Sequence, residues 1–465
     1  MPRSAGRSRL FLADSMAPLL TFYGDDFTGS SAVMEILAFA GIPIVMFLDV
    51  PTPAMLAKLD GIRAIGIAGI ARSKDPDWMT RELPRYFAAL KALGAPLLHY
   101  KTCSTFDSAP HLGSIGRAAE IGLAVTGASW APLIVGAPVI GRYQIFGNLF
   151  AALDGVAHRL DRHPVMARHP ATPMGEADLC RHLDAQTTLP KSVVDWRVLM
   201  AGDADSAVAT ARRGGARIIA LDVFDDATLA ETGRLIWNEA LHEPVFALGS
   251  QGVEYALVAH WRSSGLLPVA SPVPLLGPAE PLLVVSGSCS EVTARQIAAA
   301  EVGGFLIIPL DAARAIAVLD WDAEIRRTDA AVQAALVAGR NVLVCTARGP
   351  EDRAIVAFNA AVAADGTDAA AVHTRLGDGL GRIVRAARRH SGLRRAVLSG
   401  GDTAGNAMLA MGAEALEPVA PLAPGVPLLR VRSADEAIDG MEVALKGGQM
   451  GDSELFLRAA AGPAL

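Results

Sequence analysis

Hydrophobic and polar residues along this chain alternate between short apolar runs and segments of helical periodicity. Residues 19–23 are apolar, apolar side chains then recur at helical spacing from Val33 to Ala40, and a second apolar run covers residues 44–50. This strand–helix–strand order predicts two parallel strands joined by a right-handed crossover. The alternation continues to the C-terminal region and predicts an α/β fold throughout.

Further strands and helices follow from the same pattern. Strands are predicted at residues 64–68, 96–100, 133–135, 218–221, 245–248, 282–285, 305–308, 341–345, 396–398, 428–431 and 441–445. Helices are predicted at residues 78–93, 252–261 and 291–301, and the Ala-rich stretch 354–371 is interpreted as a helix followed by a loop.

The domain organisation is predicted from length and proline content. A chain of 465 residues exceeds what one hydrophobic core usually serves. Residues 265–281 hold five prolines and little charge, which indicates a semi-rigid linker. We therefore expect domains at 16–264 and 282–465, each a largely parallel sheet flanked by helices, with a ligand cleft between them. Residues 1–15 are interpreted as a disordered leader, or as a sign that translation starts at Met16.

Composition narrows the class of protein. Hydrophobic residues make up 51% and charged residues 19%, and the net charge of −6 is mixed along the chain without a basic stripe, so nucleic-acid binding is not expected. Mean hydropathy is +0.33, but the longest uncharged run, 121–141, is interrupted by prolines and is not expected to span a membrane. Four scattered cysteines favour a reducing cytoplasm. The histidines lack metal-ligand spacing and are interpreted as surface or capping residues.

The first candidate site follows the first predicted strand, where residues 23–29 read Tyr-Gly-Asp-Asp-Phe-Thr-Gly. Asp25 and Asp26 would lie at the carboxyl end of a strand, where α/β sheets bind ligands. Such a pair can hold Mg²⁺, accept a proton from a substrate hydroxyl or hydrogen-bond a polyol. The alternative is that one aspartate caps the helix and the other is solvated.

Three glycine-rich turns in the second half predict a phosphate site. Residues 284–290 read Val-Val-Ser-Gly-Ser-Cys-Ser, residues 397–405 read Val-Leu-Ser-Gly-Gly-Asp-Thr-Ala-Gly, and residues 446–449 read Lys-Gly-Gly-Gln. Free amides at helix N-termini favour anions, although simple helix caps would give similar sequences. Neither the P-loop nor the dinucleotide fingerprint occurs; the nearest approach, residues 377–381, is spaced wrongly and follows a polar loop.

The loop after the strand at 96–100 is a candidate for binding the substrate. It reads Lys-Thr-Cys-Ser-Thr-Phe-Asp-Ser over residues 101–108. Lys101 with the hydroxyls suits a carboxylate or a phosphate, although a lone lysine at a strand end is more often solvated. Cys103 lacks a histidine partner and is interpreted as a small packing residue. Arg142 is a further candidate anion contact.

Together these loops resemble the four-carbon acid sugar kinase family. The resemblance is carried by residues 24–29, Lys101 with Ser104 and Thr105, and the stretches 249–252, 286–290, 399–404 and 446–448, which occur in the family's order over nearly the whole chain. Members have an N-terminal sugar-binding domain and a C-terminal nucleotide-binding domain. The ordered set is specific, although no single motif is.

The resemblance implies that the chain phosphorylates a terminal hydroxyl of a small sugar acid with ATP, and that Mg²⁺ bridges the phosphates without a dedicated protein metal site. Asp25 and Asp26 would be catalytic, and the substrate carboxylate would contact Lys101, Ser104, Thr105 and Arg142. The implied nucleotide-binding residues are Ser286, Ser288, Gly349, Gly400, Gly401, Asp402, Thr403 and Gly447.

The loop at 101–108 departs from the family pattern and affects the expected substrate. Many relatives carry an arginine in this loop, whereas this chain has Asp107 and no arginine. The usual tetronates and 3-oxo-tetronate are therefore in doubt, and a branched or oxo acid such as 3-oxo-isoapionate is a further candidate. Two alternatives are a sugar-acid lyase or isomerase with a metal on the aspartates, and a non-catalytic sugar-acid sensor. A cytoplasmic homo-oligomer is compatible with the sequence.

Overall fold

The computed structural model describes residues 17–153, 155–169, 171–268 and 274–462. The expectation for residues 1–15 lies outside this part of the chain, as does part of the proline-rich segment. The chain divides into two compact units, Met1–Pro272 and Val273–Leu465, which we call the first and the second unit. The division falls inside the proline-rich segment.

The first unit is built on a wholly parallel sheet with the order β2-β3-β1-β4-β11-β5-β10-β9. A small antiparallel sheet, β6-β7-β8, forms a separate ladder and is linked to the unit by a bridge between Gln144 and Val223. The strands are β1 Leu20–Gly24, β2 Ile44–Phe47, β3 Ala64–Ala68, β4 Leu97–Lys101, β5 Ala131–Ile134, β6 Arg142–Ile145, β7 Asn148–Leu153, β8 Val156–Arg159, β9 Lys191–Val194, β10 Ile218–Leu221 and β11 Val245–Gly249.

Helices flank that parallel sheet, and most begin at a capping aspartate, serine or threonine. They are α1 Phe27–Phe39, α2 Pro53–Leu56, α3 Pro76–Ala92, α4 Ile115–Thr126, α5 Leu179–Asp184, α6 Trp196–Met200, α7 Ala204–Arg213, α8 Asp226–Ala240 and α9 Gly252–Ser263. The central strands are buried on both faces, which explains their continuous apolar runs.

The second unit has the strand order β13-β14-β12-β15-β18-β17-β16, in which the first five strands are parallel and β17 runs antiparallel to both of its neighbours, β18 and β16. Its strands are β12 Leu283–Ser286, β13 Leu306–Pro309, β14 Val342–Cys345, β15 Arg395–Ser399, β16 Ala415–Ala423, β17 Val426–Arg432 and β18 Glu442–Lys446. Its helices are α10 Glu291–Val302, α11 Val318–Val337, α12 Arg353–Asp365, α13 Ala369–Ser391, α14 Gly401–Met411 and α15 Leu455–Ala461. The predicted α/β class with largely parallel sheets is confirmed.

The prediction that a polar loop precedes residues 377–381 is wrong, because this stretch lies inside α13. Its three glycines allow close helix packing. An added Cβ at Gly379 would lie 2.4 Å from the Trp321 ring on α11, and one at Gly381 would lie 2.3 Å from the Ala407 carbonyl on α14. These glycines therefore have a packing role.

Candidate functional site

The two aspartates after β1 have different environments. Asp26 is the N-cap of α1: its Oδ1 accepts a hydrogen bond from the amide of Gly29 at 2.9 Å. Asp25 is only 2% exposed, and its amide donates to the carbonyl of Lys101 at 2.9 Å. The capping interpretation thus applies to Asp26, whereas Asp25 is a buried carboxyl group rather than a solvated one.

Arg72 binds both carboxylates, and sequence reasoning missed it. It lies in a short turn after β3, the strand next to β1. Its Nη2 donates to Asp25 Oδ1 at 2.7 Å, and its Nη1 donates to Asp26 Oδ2 at 2.9 Å. Burial raises the pKa of Asp25, an effect that Arg72 opposes and the neighbouring Asp26 reinforces. The sequence did contain one signal for this role, because Arg72 is a charged residue just after β3, the parallel neighbour of β1.

Lys101 completes this cluster. It is the last residue of β4 and aligns with Gly24 at the end of β1 and Gly249 at the end of β11. The side chain is 1% exposed, and its Nζ donates to the carbonyl of Thr102 at 2.7 Å. A Cβ added at Gly29 would lie 2.7 Å from this Nζ, so the glycine makes room for the ammonium group. The solvated alternative for Lys101 is wrong.

The loop after Lys101 is held by its own side chains. Thr105 Oγ1 donates to Asp107 Oδ1 at 2.7 Å and lies 3.0 Å from Cys103 Sγ. Burial raises the pKa of Cys103 to about 11, so the thiol stays protonated near neutral pH, in keeping with a packing role. Ser104 lies in the turn and is partly exposed.

Arg142 opens β6 and approaches the same loop. Its Nη1 donates to the carbonyls of Ile140 at 3.1 Å and Gly141 at 3.2 Å. Burial lowers the pKa of Arg142, while the nearby Cys103 and Asp107 oppose that shift. The first unit therefore brings together the two aspartates, Lys101, the 103–107 loop and Arg142, all predicted from sequence, and adds Arg72.

The interpretation of His99 as a surface or capping residue is wrong. His99 and Glu254 are both fully buried, with His99 Nδ1 2.6 Å from Glu254 Oε1. His99 Nε2 lies 3.1 Å from the carbonyl of Gly249, which also accepts the amide of Thr102 at 2.6 Å. This buried pair therefore supports the backbone on which the Lys101 loop turns.

In the second unit, the three glycine-rich turns meet at one edge of the sheet. They follow β12, β15 and β18, which are adjacent, and Ser399 aligns with Ser286 on one side and Lys446 on the other. The amide of Gly287 donates to the Ser399 carbonyl, and the amide of Gly400 donates to the Lys446 carbonyl, each at 2.9 Å. The sheet register thus fixes the three turns against each other.

Hydroxyl groups concentrate where these turns meet. Ser290 caps α10 by accepting the amide of Thr293 at 3.1 Å, and its Oγ donates to the carbonyl of Gly448. Ser288 Oγ lies 2.9 Å from Thr293 Oγ1, and the amide of Ser288 donates to Ser286 Oγ at 3.3 Å. Lys446 is buried among them, although from sequence it was only part of a glycine turn.

The glycines in these turns keep space beside the backbone. Gly400 has φ +133° and precedes α14; a Cβ there would lie 2.2 Å from Thr403 Oγ1. A Cβ at Gly287 would lie 2.8 Å from the same hydroxyl. Gly401 and Asp402 lie in the first turn of α14, Gly349 packs beside Ala294 of α10, and Gly447 begins the turn after β18. All the predicted nucleotide residues thus belong to this edge or to elements packed beside it.

Acidic and sulfur ligands do not gather anywhere in the described part of the chain: no cluster of three or more His, Cys, Asp or Glu residues could hold a metal ion there. Within the same residues, none of the helices combines the length and the apolar character needed to cross a membrane.

Comparison with known proteins shows the protein family to which this chain belongs. The sugar-binding N-terminal domain matches residues 20–257, and the nucleotide-binding C-terminal domain matches residues 283–456. This pair of domains is the architecture of the four-carbon acid sugar kinase family. The chain belongs to the four-carbon acid sugar kinase family, which confirms the resemblance; it is a sugar-acid kinase, a phosphotransferase with an alcohol group as acceptor, and it uses ATP.

Individual relatives agree over the full length. The chain is 45% identical over 438 residues to the 3-oxo-isoapionate kinase of Paraburkholderia graminis, covering 94% of this chain and 93% of the relative. It is 32% identical to the 3-oxo-tetronate kinase of Methylobacterium radiotolerans, covering 96% and 99%. A solved structure from Haemophilus influenzae superposes with a TM-score of 0.70 at 25% identity, covering 94% and 98%. The kinase prediction is confirmed over the lyase and sensor alternatives.

Proposed function

We propose that this chain transfers the γ-phosphoryl group of ATP to a terminal hydroxyl of 3-oxo-isoapionate or a closely related branched oxo acid. The observation that carries the substrate assignment is the 45% identity to the 3-oxo-isoapionate kinase along nearly the whole of both chains. The 3-oxo-tetronate kinases are less similar, at 32% identity or below. The loop at 101–108, without the arginine of many family members, supports the same choice.

In this proposal Asp25 is the proton acceptor. The substrate hydroxyl gives its proton to the Asp25 carboxylate as its oxygen bonds to the γ-phosphorus, and the bond from that phosphorus to ADP breaks. Burial raises the pKa of Asp25 and so makes it a better base than a solvated aspartate. Asp26 is the cap of α1 and fixes the orientation of Arg72. Asp26 thus has a structural role, because it positions both the start of α1 and the Arg72 side chain.

The sugar acid is bound through positive charge and hydroxyl groups. The cations of this proposal are Lys101 at the end of β4 and Arg142, which lies beside Cys103 and Asp107. Arg142 donates mainly to backbone carbonyls, so it retains charge for a carboxylate ligand. Ser104 contributes a partly exposed hydroxyl. The hydroxyl of Thr105 already donates a hydrogen bond to Asp107, so it must break that bond before it can donate to the substrate.

We assign the nucleotide to the edge formed by the three turns of the second unit. Ser286, Ser288, Gly349, Gly400, Gly401, Asp402, Thr403 and Gly447 are the residues of this proposal. Backbone amides at the starts of α10 and α14, the hydroxyl groups and the missing Cβ atoms suit phosphate oxygens. Mg²⁺, when bound, neutralises charge on the phosphates, and it fits here as an ion that enters with the nucleotide, since Mg²⁺ keeps phosphate and water ligands.

The test is a panel of sugar acids in an assay that couples ADP release to a recorded signal. We expect 3-oxo-isoapionate to give a kcat/KM at least about tenfold above those of tetronates and 3-oxo-tetronate, a difference of about 1.4 kcal/mol in transition-state binding. Equal or higher kcat/KM for 3-oxo-tetronate would contradict the substrate assignment while leaving the kinase class intact. A cytoplasmic location and a homo-oligomer remain predictions, which cell fractionation and light scattering test.

A further inference from the structure

Lys446 joins the three turns of the second unit through one buried ammonium group. The side chain is fully buried at the end of β18. Its Nζ donates to Thr293 Oγ1 at 2.6 Å, to the Gly448 carbonyl at 3.1 Å and, more weakly, to Ser399 Oγ at 3.5 Å. These acceptors belong to α10, to the turn after β18 and to the end of β15. One cation thus contacts all three elements.

The charge of Lys446 is not balanced by its contacts. The groups that face its Nζ are two hydroxyls and a carbonyl, none of which titrates near neutral pH, and among the described side chains none of its partners is a carboxylate. A buried cation with only neutral partners is costly to desolvate. In keeping with this, burial lowers the pKa of Lys446 to about 8. An anion arriving beside Nζ would relieve the cost.

The surroundings indicate which anion fits. Ser288 and Ser290 direct hydroxyls toward Thr293 and Gly448, the partners that Lys446 also uses. Gly448 itself lies close to Ser288, since a Cβ added at Gly448 would lie 3.2 Å from Ser288 Oγ. A cation surrounded by hydroxyl groups and by backbone without Cβ atoms suits a phosphate group.

We propose that Lys446 is a positioning residue for the nucleotide, which fixes the three turns relative to each other and whose uncompensated charge draws the phosphate chain to them. This rests on the proposed function, because it takes the phosphate compound to be ATP or ADP. An anion close to Nζ favours the charged ammonium form. Nucleotide binding is therefore accompanied by proton uptake in the mildly alkaline range, where part of the free protein carries a neutral Lys446.

The experiment is calorimetric titration of the full chain with ADP, at about pH 8, in two buffers of different ionisation enthalpy. We expect wild-type protein to take up about half a proton per ADP at this pH. Lys446→Met should abolish the uptake and weaken ADP binding at least about tenfold. Lys446→Arg keeps a positive charge that does not titrate, so it should restore much of the affinity without the uptake. Lys91→Met, in the first unit, is the matched control and should change neither quantity.

The outcomes separate this inference from the function on which it rests. Proton uptake in Lys446→Arg equal to that of the wild type would overturn the inference, and this variant decides the matter even where Lys446→Met does not fold. Unchanged ADP affinity in a folded Lys446→Met would overturn it too. A wild-type protein that binds neither ADP nor ATP would instead refute the nucleotide assignment itself.

Discussion

The guanidinium of Arg72 is shared between two adjacent carboxylates: its Nη2 lies 2.7 Å from Oδ1 of Asp25 and 2.9 Å from Oδ1 of Asp26. One guanidinium therefore pairs with two carboxyl groups at the end of β1. Lys101 supplies a second positive charge nearby. Arg72 opposes the rise in the pKa of Asp25 that burial and Asp26 cause. It thereby limits that rise and favours the ionised form of the proposed base.

Replacing Arg72 by methionine should impair turnover by protonating Asp25. Without the guanidinium, the pKa of Asp25 rises further, so the acid limb of the pH–rate profile should move to higher pH, and kcat/KM at neutral pH should fall about 100-fold. Steady-state kinetics over a pH series measures both effects. Arg181→Ala, which removes an exposed arginine paired with Glu176, is the control and should leave the profile unchanged. A fall in kcat/KM with no shift of the acid limb would argue for a purely structural role.

The two aspartates should give different phenotypes when each is replaced. Asp25→Asn removes the proposed base, and we expect kcat to fall at least about 100-fold while ADP affinity stays as in the wild type. Asp26→Ser keeps an oxygen that can cap α1, whereas Asp26→Ala should lose about 1 kcal/mol of stability. Kinetics of the three variants measure the loss of the base, and urea denaturation measures the loss of the helix cap. Full turnover in Asp25→Asn would refute the assignment of the base.

Asp25 should also make the stability of the protein depend on pH in a definite direction. Its folded-state pKa is raised, so the folded protein holds this proton more tightly than the unfolded chain does. Its contribution to stability is therefore present at low pH and is lost as the pH rises through the folded pKa. The free energy of unfolding of Asp25→Asn, compared with the wild type, should increase over the pH range that begins at about pH 4, near the ordinary pKa of an aspartate, and extends upward. Urea denaturation across that range measures it, and a constant difference would count against the raised pKa.

Sequence patterns located most strands of the two parallel sheets, but they missed β9 and β16 and ended several other strands one residue early. Lys101, Ser399 and Lys446 each continue a ladder that the apolar pattern ends at the residue before. The hydrogen bonds of a sheet do not depend on side-chain polarity, so a polar residue that closes a buried strand is invisible to hydropathy.

Long-range partners were harder to predict than the strands. Arg72 and Asp25 are 47 positions apart, and His99 and Glu254 are 155 apart. Only the order of strands in the sheet brings such groups together, and one sequence does not determine that order. The antiparallel strands β6, β7 and β8 were also missed, and most of their residues are partly or fully exposed.

The buried His99–Glu254 pair should be important for stability. Glu254→Ala removes the hydrogen-bond partner of His99 Nδ1 in a fully buried position, and leaving a buried polar group without its partner costs about 1–3 kcal/mol. Glu254→Gln keeps an amide group that can hydrogen-bond to the imidazole and should cost less than half as much. Urea denaturation ranks the variants. If both variants were equally stable, the hydrogen bond to His99 would not contribute to folding. We also expect the KM for the sugar acid to rise in Glu254→Gln more than the KM for ATP, because Gly249 connects the pair to Thr102.

The glycines inside α13 provide a last prediction, on packing in the second unit. In an isolated helix, Gly379→Ala would gain about 1 kcal/mol from helix propensity. Here the added Cβ would lie 2.4 Å from Trp321 Cζ2 and 2.8 Å from Ile325 Cδ1, so α11 and α13 would have to move apart. Overpacking of this kind costs about 1–3 kcal/mol, and we expect net destabilisation. Gly175→Ala, where an added Cβ meets no atom within 4 Å, is the matched control. Thermal and urea denaturation measure the difference; a Gly379→Ala protein more stable than the wild type would show that these helices are not closely packed.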